Sequence, residues 1–130
     1  MRHSLIRHSM LIVSGIIGLG SFASYPTAAS AAEYGAMAYD IGTGRIGSSW
    51  HAASLAIANA AALSACNTAD CKIVIEIGPG LCGALATAPN PTGWGTSSRG
   101  TRGDAELGAM EVCQHYNVGQ CKVQASDCNQ

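Results

Sequence analysis

The second half of this 130-residue chain repeats the first, and no other feature limits its possible folds so strongly. Four blocks of similar residues occur in the same order in both halves. The matched blocks are residues 34–38 with 82–86, 47–49 with 95–97, 54–66 with 101–113, and 71–73 with 121–123. The spacing between partners changes from block to block, as loops of different length would allow. We therefore expect two copies of one structural unit, over residues 34–81 and 82–128.

Each half predicts two strands, a helix and a third strand. Alternating apolar residues around a Gly-rich turn indicate a hairpin at the start of each half. In the first half the predicted strands cover residues 34–40, 45–50 and 72–77, and the last strand of the second half covers 122–126. The expected fold class is α+β, with two β-β-α-β halves whose helices pack on a largely antiparallel sheet.

The predicted helices begin after Ser54 and Thr101, because either hydroxyl can accept a hydrogen bond from a free N–H of the first turn. Asp104, three residues after Thr101, nearly completes a capping box. Small residues at helical spacing would let each helix lie close to the sheet. The expected buried positions are Ala58, Ala62, Ala65 and Cys66 in the first helix, and Ala105, Ala109, Val112 and Cys113 in the second.

The first 31 residues predict a cleavable secretory signal peptide. Arg2 and Arg7 precede a short apolar run, and small residues follow, with cleavage expected after Ala31 or Ala32. The apolar run is shorter than the roughly 20 residues of a membrane-spanning helix. We therefore expect no stable membrane anchor after cleavage. Residues 32–130 would form a single disulfide-rich domain in the periplasm or outside the cell.

Six cysteines in the expected mature part indicate a disulfide framework, because an even number in a short exported chain favours pairing. The repeat favours Cys66 with Cys71 and Cys113 with Cys121, which leaves Cys82 with Cys128 as a link between the halves. Other pairings remain possible from the sequence alone. A zinc site is the alternative reading, but the spacings within the first two pairs fit zinc ligands poorly. No other metal is indicated.

The charge of the chain disfavours nucleic acid as a partner. Losing Arg2 and Arg7 with the signal peptide takes the formal net charge from −1 to −3. A weakly acidic domain has no electrostatic footprint for nucleic acid or anionic lipid.

Residues 42–47 and 78–83 match the dinucleotide pattern G-x-G-x-x-G, but dinucleotide binding needs a strand before the glycines and a helix after them. Both segments are expected to be turns, so no cofactor is expected.

An ordered set of motifs resembles the bacterial domain-of-unknown-function family 4189. The set comprises Tyr-Gly-Ala-Met-Ala-Tyr from Tyr34, the Ser-x3-Ala-x3-Ala-Leu-x2-Cys helix, the Cys-Lys-Ile-Val strand, the Cys-Gly-Ala-Leu-Ala restart and the Gly-Trp-Gly hairpin, and it ends at Cys128. The resemblance implies a small exported bacterial protein and brings no established activity or catalytic residue. Asn59 departs from the family, where an acidic residue is more usual. The first helix is also plainer and richer in alanine, which weakens any function that needs charge there.

We expect a non-enzymatic binding protein, because no catalytic constellation stands out. Trp94 lies between two glycines that cannot shield it, and exposed tryptophan is enriched at binding hot spots. Trp94, Arg99 and Trp50 are the expected contact residues, although both tryptophans could instead cover the core. Arg102, near Trp94, would belong to the mobile part of the surface. A secreted enzyme or toxin that the protein inhibits, as an immunity protein would, or a host protein, would be the partner.

Two alternatives remain. A small secreted hydrolase would use His51 as a base with Ser49 or Asp40, since Ser49 and His51 are expected on one side of a strand. No G-x-S-x-G elbow accompanies them. A structural component of the envelope would show neither a pocket nor a specific partner. His115 needs no function, because a helix C-terminus favours a protonated histidine.

Overall fold

The structure is a computed structural model, and it describes residue 24 and residues 31–89, 93–116 and 119–130. The expected signal peptide lies almost wholly outside these residues, so its bounds and its cleavage site stay predictions. Within the described ranges, no helix is both long enough and apolar enough to span a membrane.

The described chain has the element order β-β-α-β twice. The elements are β1 (Tyr34–Tyr39), β2 (Ile46–Ala52), α1 (Leu55–Cys66), β3 (Lys72–Ile77), β4 (Cys82–Thr87), β5 (Trp94–Arg99), α2 (Arg102–Tyr116) and β6 (Lys122–Cys128). The expected α+β fold of two β-β-α-β halves is confirmed. β1 pairs antiparallel with β2 and β3, and β4 with β5 and β6, so each half forms its own three-stranded sheet.

The two sheets lie face to face between the two helices. Successive residues of a strand point to opposite sides of the sheet. On β1, Ala36 and Ala38 pack against α1. Met37 and Tyr39 point the other way and join a core that includes Leu85 of β4. The alanines of β4 pack against α2 in the same manner. The layers therefore follow the order α1, first sheet, second sheet, α2.

A pseudo-two-fold axis relates the halves, including the irregular pairing between the first and third strands of each half. Contacts join β3 to β5 and β2 to β6, and exchanging the halves converts one contact into the other. The pairing of β1 with β3 passes over Val74, and the pairing of β4 with β6 passes over Gln124 in the same way. Such bulges bend a strand and re-aim its side chains. The sequence repeat is therefore a repeat of the backbone itself.

Each helix rests on a glycine of the second strand in its half. A methyl group on Gly47 would lie 2.1 Å from the carbonyl oxygen of Ala62, and one on Gly95 would lie 2.5 Å from that of Ala109. Any larger residue would push the helix away from its sheet. This contact explains why glycine occurs at the same place in both halves.

The buried stripe of each helix is narrower than expected. Six of the eight expected positions are buried, and the expectation is wrong for Ala65 and Val112, which are exposed. Each helix lies very close to a glycine, which has no side chain. Only helix residues about one turn apart therefore contact the sheet. In α2 the additional buried residue is Gly108, which lies against the Ser97 side chain.

The six cysteines form three disulfides, Cys66–Cys71, Cys113–Cys121 and Cys82–Cys128. The favoured pairing is confirmed. The cysteines that the alternative reading assigned to a zinc site are instead bonded in disulfides. The first two bridges are pseudo-equivalent and tie each helix to the strand that follows it. The expectation that Cys82–Cys128 links the halves is wrong. Both residues belong to the second half, where they pair across β4 and β6.

The halves are joined by the core between the sheets and by the buried side chain of Asn129. Its Oδ1 accepts a hydrogen bond from the His51 N–H at 3.1 Å. Its Nδ2 donates to the carbonyl oxygens of Ile77 and Gly78, both at 3.2 Å. A residue that follows the last strand of the second half therefore fastens two strands of the first.

Replacing Gly47 with Ala should destabilise the protein by about 1–3 kcal/mol, the usual cost of overpacking, and Gly95→Ala should behave alike. Urea unfolding of each variant measures the change. Gly103→Ala is the control, because a methyl group there has no neighbour within 4 Å and alanine favours a helix. Equal stability of Gly47→Ala and Gly103→Ala would contradict the proposed role of the glycine contact.

Replacing Asn129 with Ala should lower the free energy of unfolding by about 1–3 kcal/mol, because it leaves buried backbone groups without partners. Gln130→Ala is the matched control, since that exposed side chain makes similar bonds to Gly80 and Gly100 from outside. If both variants unfold at the same urea concentration, Asn129 does not hold the halves together.

Candidate functional site

Trp94, at the start of β5, lies at the rim of the core between the sheets. Its ring meets that of Tyr39 edge to face, with the ring centroids 6.2 Å apart. Burial, and then the charge of Asp40, raise the pKa of Tyr39, so its hydroxyl remains neutral at physiological pH. Trp94 itself is half-buried, so one part of the ring closes the core and the other part faces outward.

Two grooves flank Trp94. The larger one has a volume of about 520 Å³, and its lining residues include Trp94, Ile41, Val74, Asp70 and Lys72. Its walls are mainly apolar, and its charged lining residues are Asp40, Asp70 and Lys72.

The smaller groove, of about 410 Å³, runs between β5 and the end of α2. It is lined by Trp94, Thr96, Val112 and Tyr116. Ile41 is 45% exposed and Tyr116 is 69% exposed, although both are large apolar side chains. We define the Trp94 surface as Trp94, Ile41, Val74, Val112 and Tyr116. Clustered apolar exposure of this kind is typical of interaction sites.

The pseudo-two-fold axis gives the larger groove a polar counterpart. This counterpart is a groove of about 380 Å³ on the other side of Tyr39. Its lining residues Ile46, Thr87 and Gln124 are pseudo-equivalent to Trp94, Tyr39 and Val74, in that order. The repeat therefore builds the same groove twice. Only one copy carries a tryptophan.

Asp40 fixes the turn that presents Ile41. Its carboxylate accepts hydrogen bonds from the Gly42 N–H at 2.9 Å and from the hydroxyls of Thr43 and Thr68, both at 2.7 Å. The bond from Thr68, followed by that from Thr43, lowers the pKa of Asp40. Because Thr68 lies after α1, this carboxylate ties the β1–β2 turn to the loop beside the Cys66–Cys71 disulfide.

The structure does not bring the residues of the hydrolase alternative together. The Ser49 hydroxyl donates to the carbonyl oxygen of Ala58, at 2.6 Å. His51 pairs with Glu33 at the opposite end of the β1–β2 hairpin from Asp40. The groove beside His51 contains neither Ser49 nor Asp40 among its described lining residues.

A backbone irregularity separates His51 from Ser49. The register of β1 with β2 shifts between Tyr34 and Ala36, and His51 has a φ of 55°. A bulge with a left-handed residue turns its side chain away from the regular alternation. The regular alternation that would put Ser49 and His51 on one side of the strand is therefore interrupted between them.

Trp50 and Arg99 lie apart from the Trp94 surface. The Trp50 ring fills space between the sheets, because methyl groups on Gly35 and Gly83 would meet it at 2.9 and 3.4 Å. Arg99 is at the other end of β5 from Trp94, about 17 Å along the strand. The structure therefore separates the three residues that the sequence grouped as a contact surface.

The other polar residues considered from the sequence have local partners. Arg102 pairs with Asp127 at 3.1 Å and also donates to the carbonyl oxygen of Ser126. His115 lies in the last turn of α2, where its ring contacts that of Tyr116. Neither residue lines the grooves at Trp94.

Comparison with known protein families identifies the family of this chain. Residues 34–128 match the model described as "Domain of unknown function (DUF4189)". The chain belongs to this family. It is also similar to the NMR structure of Rv1813c from Mycobacterium tuberculosis, with a TM-score of 0.57 and 23% sequence identity over 97% of this chain and 100% of that chain. At this identity the likeness shows the fold alone. No curated protein matches the chain.

In this DUF4189 domain, Asn59, where the resemblance implied an acidic residue, has a local role. Asn59 of α1 donates to the Glu76 carboxylate of β3 at 2.8 Å. In the second half, Ser126 of β6 donates to Glu106 of α2. Both halves thus keep a helix-to-strand hydrogen bond, but the carboxylate lies on the strand in one and on the helix in the other. An acid at position 59 would face Glu76.

Replacing Thr68 with Val should raise the pKa of Asp40 and destabilise the protein at neutral pH. The pKa of Asp40 is lower in the folded state, so its contribution is fully present above about pH 4, the unfolded value. That contribution is lost as the pH falls through the folded pKa. The stability gap between wild type and Thr68→Val should therefore narrow in acid. Urea unfolding from pH 7 to pH 2 tests this, and a constant gap would contradict it.

Proposed function

We propose that this protein is a non-enzymatic binding protein that works outside the bacterial cytoplasm and contacts a partner protein through the Trp94 surface. One observation carries the proposal: a half-buried tryptophan lies between two grooves and is flanked by exposed apolar side chains. Hot spots of protein interfaces have this composition, since tryptophan and tyrosine dominate them.

The disulfides support a site of action outside the cytoplasm. Three bridges in a short chain are typical of oxidising compartments. The expected signal peptide points the same way. Together they support a secreted or periplasmic location, which would limit the partners to proteins that meet the chain there.

A protein partner suits the larger groove better than a charged small molecule. The groove offers Trp94, Ile41 and Val74 to an apolar side chain. Asp70 and Lys72 offer one charge of each sign, and the second carboxylate, Asp40, is already bound by Thr43 and Thr68. Such a groove would orient a partner without selecting a strongly charged one. A secreted enzyme or toxin that the protein inhibits, or a host protein, would present such a side chain.

The two alternatives have less support. The hydroxyl and carboxylate that a hydrolase would use with His51 bind other groups, as described above. A purely structural envelope component would need neither the grooves nor the exposed Tyr116. We therefore retain a binding role.

Trp94→Ala and Tyr116→Ser should each weaken partner binding at least tenfold, because each removes an aromatic contact. The immobilised processed protein is incubated with the exported proteins of the organism that encodes it and, separately, with proteins of its host. Proteins that wild type retains are identified, purified and titrated against each variant by calorimetry.

Leu107→Ser is the matched control, because Leu107 is 65% exposed on the same helix as Tyr116 but lies outside the Trp94 surface. It should bind as wild type does. A partner whose affinity is unchanged by both surface variants, or no retained partner at all, would contradict the proposal. Tyr116→Ser protects the test against misfolding, since its side chain is mostly in solvent.

A further inference from the structure

α1 lies on the outside of the fold but carries no charged residue. Its twelve residues are Leu, Ala, Ile, Asn, Ser and Cys. Ala58, Ala62 and Cys66 face the first sheet. On the rest of the helix Ile57 is 55% exposed and Leu63 is 38% exposed. Asn59 and Ser64 are its polar residues, and a helix whose exposed face is this apolar is normally covered there.

The second helix shows that the fold does not require this. α2 occupies the pseudo-equivalent outer layer, and its solvent-facing residues include Arg102, Asp104, Glu111 and His115. The two halves share three buried helix positions but not their exposed ones. Both helices expose some apolar side chains, but an outer face without charge is a property of α1 alone.

We infer that the exposed face of α1 packs against the same face of a second copy of this chain. The expected mature chain has a formal net charge of −3, so two copies repel each other through most orientations. No residue of α1 is charged, so two copies of α1 can meet without opposing charged helix residues, and the carboxylate at its edge, Glu76, is bound by Asn59. A symmetric contact of this kind also uses one surface twice, as most homodimers do.

The residues of α1 suit a close helix pair. Ala60, Ala61 and Ser64 are small and exposed, so two helix axes could approach to about 8 Å. Ile57, one turn before Ala60, and Leu63, next to Ser64, supply the larger apolar area.

A membrane surface fits this face less well. Helices that lie on membranes carry lysine and arginine on their polar side, which hold them to anionic headgroups. α1 has neither residue, and the chain is acidic.

The size of the face sets the expected strength of association. Twelve residues make a helix of about 18 Å. Stable interfaces bury about 800 Å² on each partner, which is more than one short helix offers. We therefore expect a weak dimer with a Kd on the order of 10–100 μM.

This dimer is independent of the Trp94 surface. Neither groove at Trp94 is lined by a described residue of α1. The contact could therefore form while a partner occupies Trp94, and either proposal can fail without the other.

Sedimentation velocity of the processed, oxidised protein tests the inference, over roughly 5–500 μM to bracket the expected Kd. Wild type should shift from monomer to dimer across this range. Ala60→Glu should stay monomeric, because it would place two carboxylates against each other. Leu107→Glu is the matched control at the pseudo-equivalent position of α2, and it should dimerise as wild type does.

Ile57→Ser is a second variant that adds no charge, and it should weaken the dimer at least fivefold. Matching urea midpoints establish that all variants are folded. A monomeric wild type, or an Ala60→Glu variant that dimerises like wild type, overturns the inference. Binding of a monomeric wild type to phosphatidylglycerol vesicles, lost in Ala60→Glu, would assign the face to membranes instead.

Discussion

The close contact between each helix and a glycine of the neighbouring strand determines how this chain builds a core from small residues. With Gly47 and Gly95 against helix backbone, alanines are large enough to fill the space between each helix and its sheet. The few bulky side chains are then available for the layer between the sheets, where Met37, Leu85 and Trp50 lie. Such thin layers bury little area, and disulfides at the helix ends restrict the unfolded chain in compensation.

The repeat made most of the fold predictable from the sequence. Element order followed from matched blocks, and two of the disulfides followed because equivalent cysteines recur at equivalent places. The division into two sheets did not, since the hairpin pattern is the same whether the halves join edge to edge or stack. The alternation of Ala36, Met37 and Ala38 held the missing information, because a strand with both faces apolar needs a layer on each side.

The candidate site was predictable only in part. Trp94 stands out because its glycine neighbours leave it unshielded. Ile41, Val112 and Tyr116 come from three other segments, and only the tertiary fold places them beside it. The position of His51 depends on a bulge with a left-handed backbone, which a non-glycine residue rarely adopts. Nothing in the sequence therefore indicates that the strand alternation breaks there.

The pseudo-symmetry also separates structural from functional positions. Where the halves agree, as at Gly47 and Gly95, the fold that both halves share requires the residue. Where they differ at the surface, the shared backbone permits either residue, so the backbone alone does not explain the choice. Trp94 against Ile46 is one such difference, and the uncharged face of α1 against the charged face of α2 is another. Both differences expose apolar groups that the fold does not need, which is why we place the interactions of this protein there.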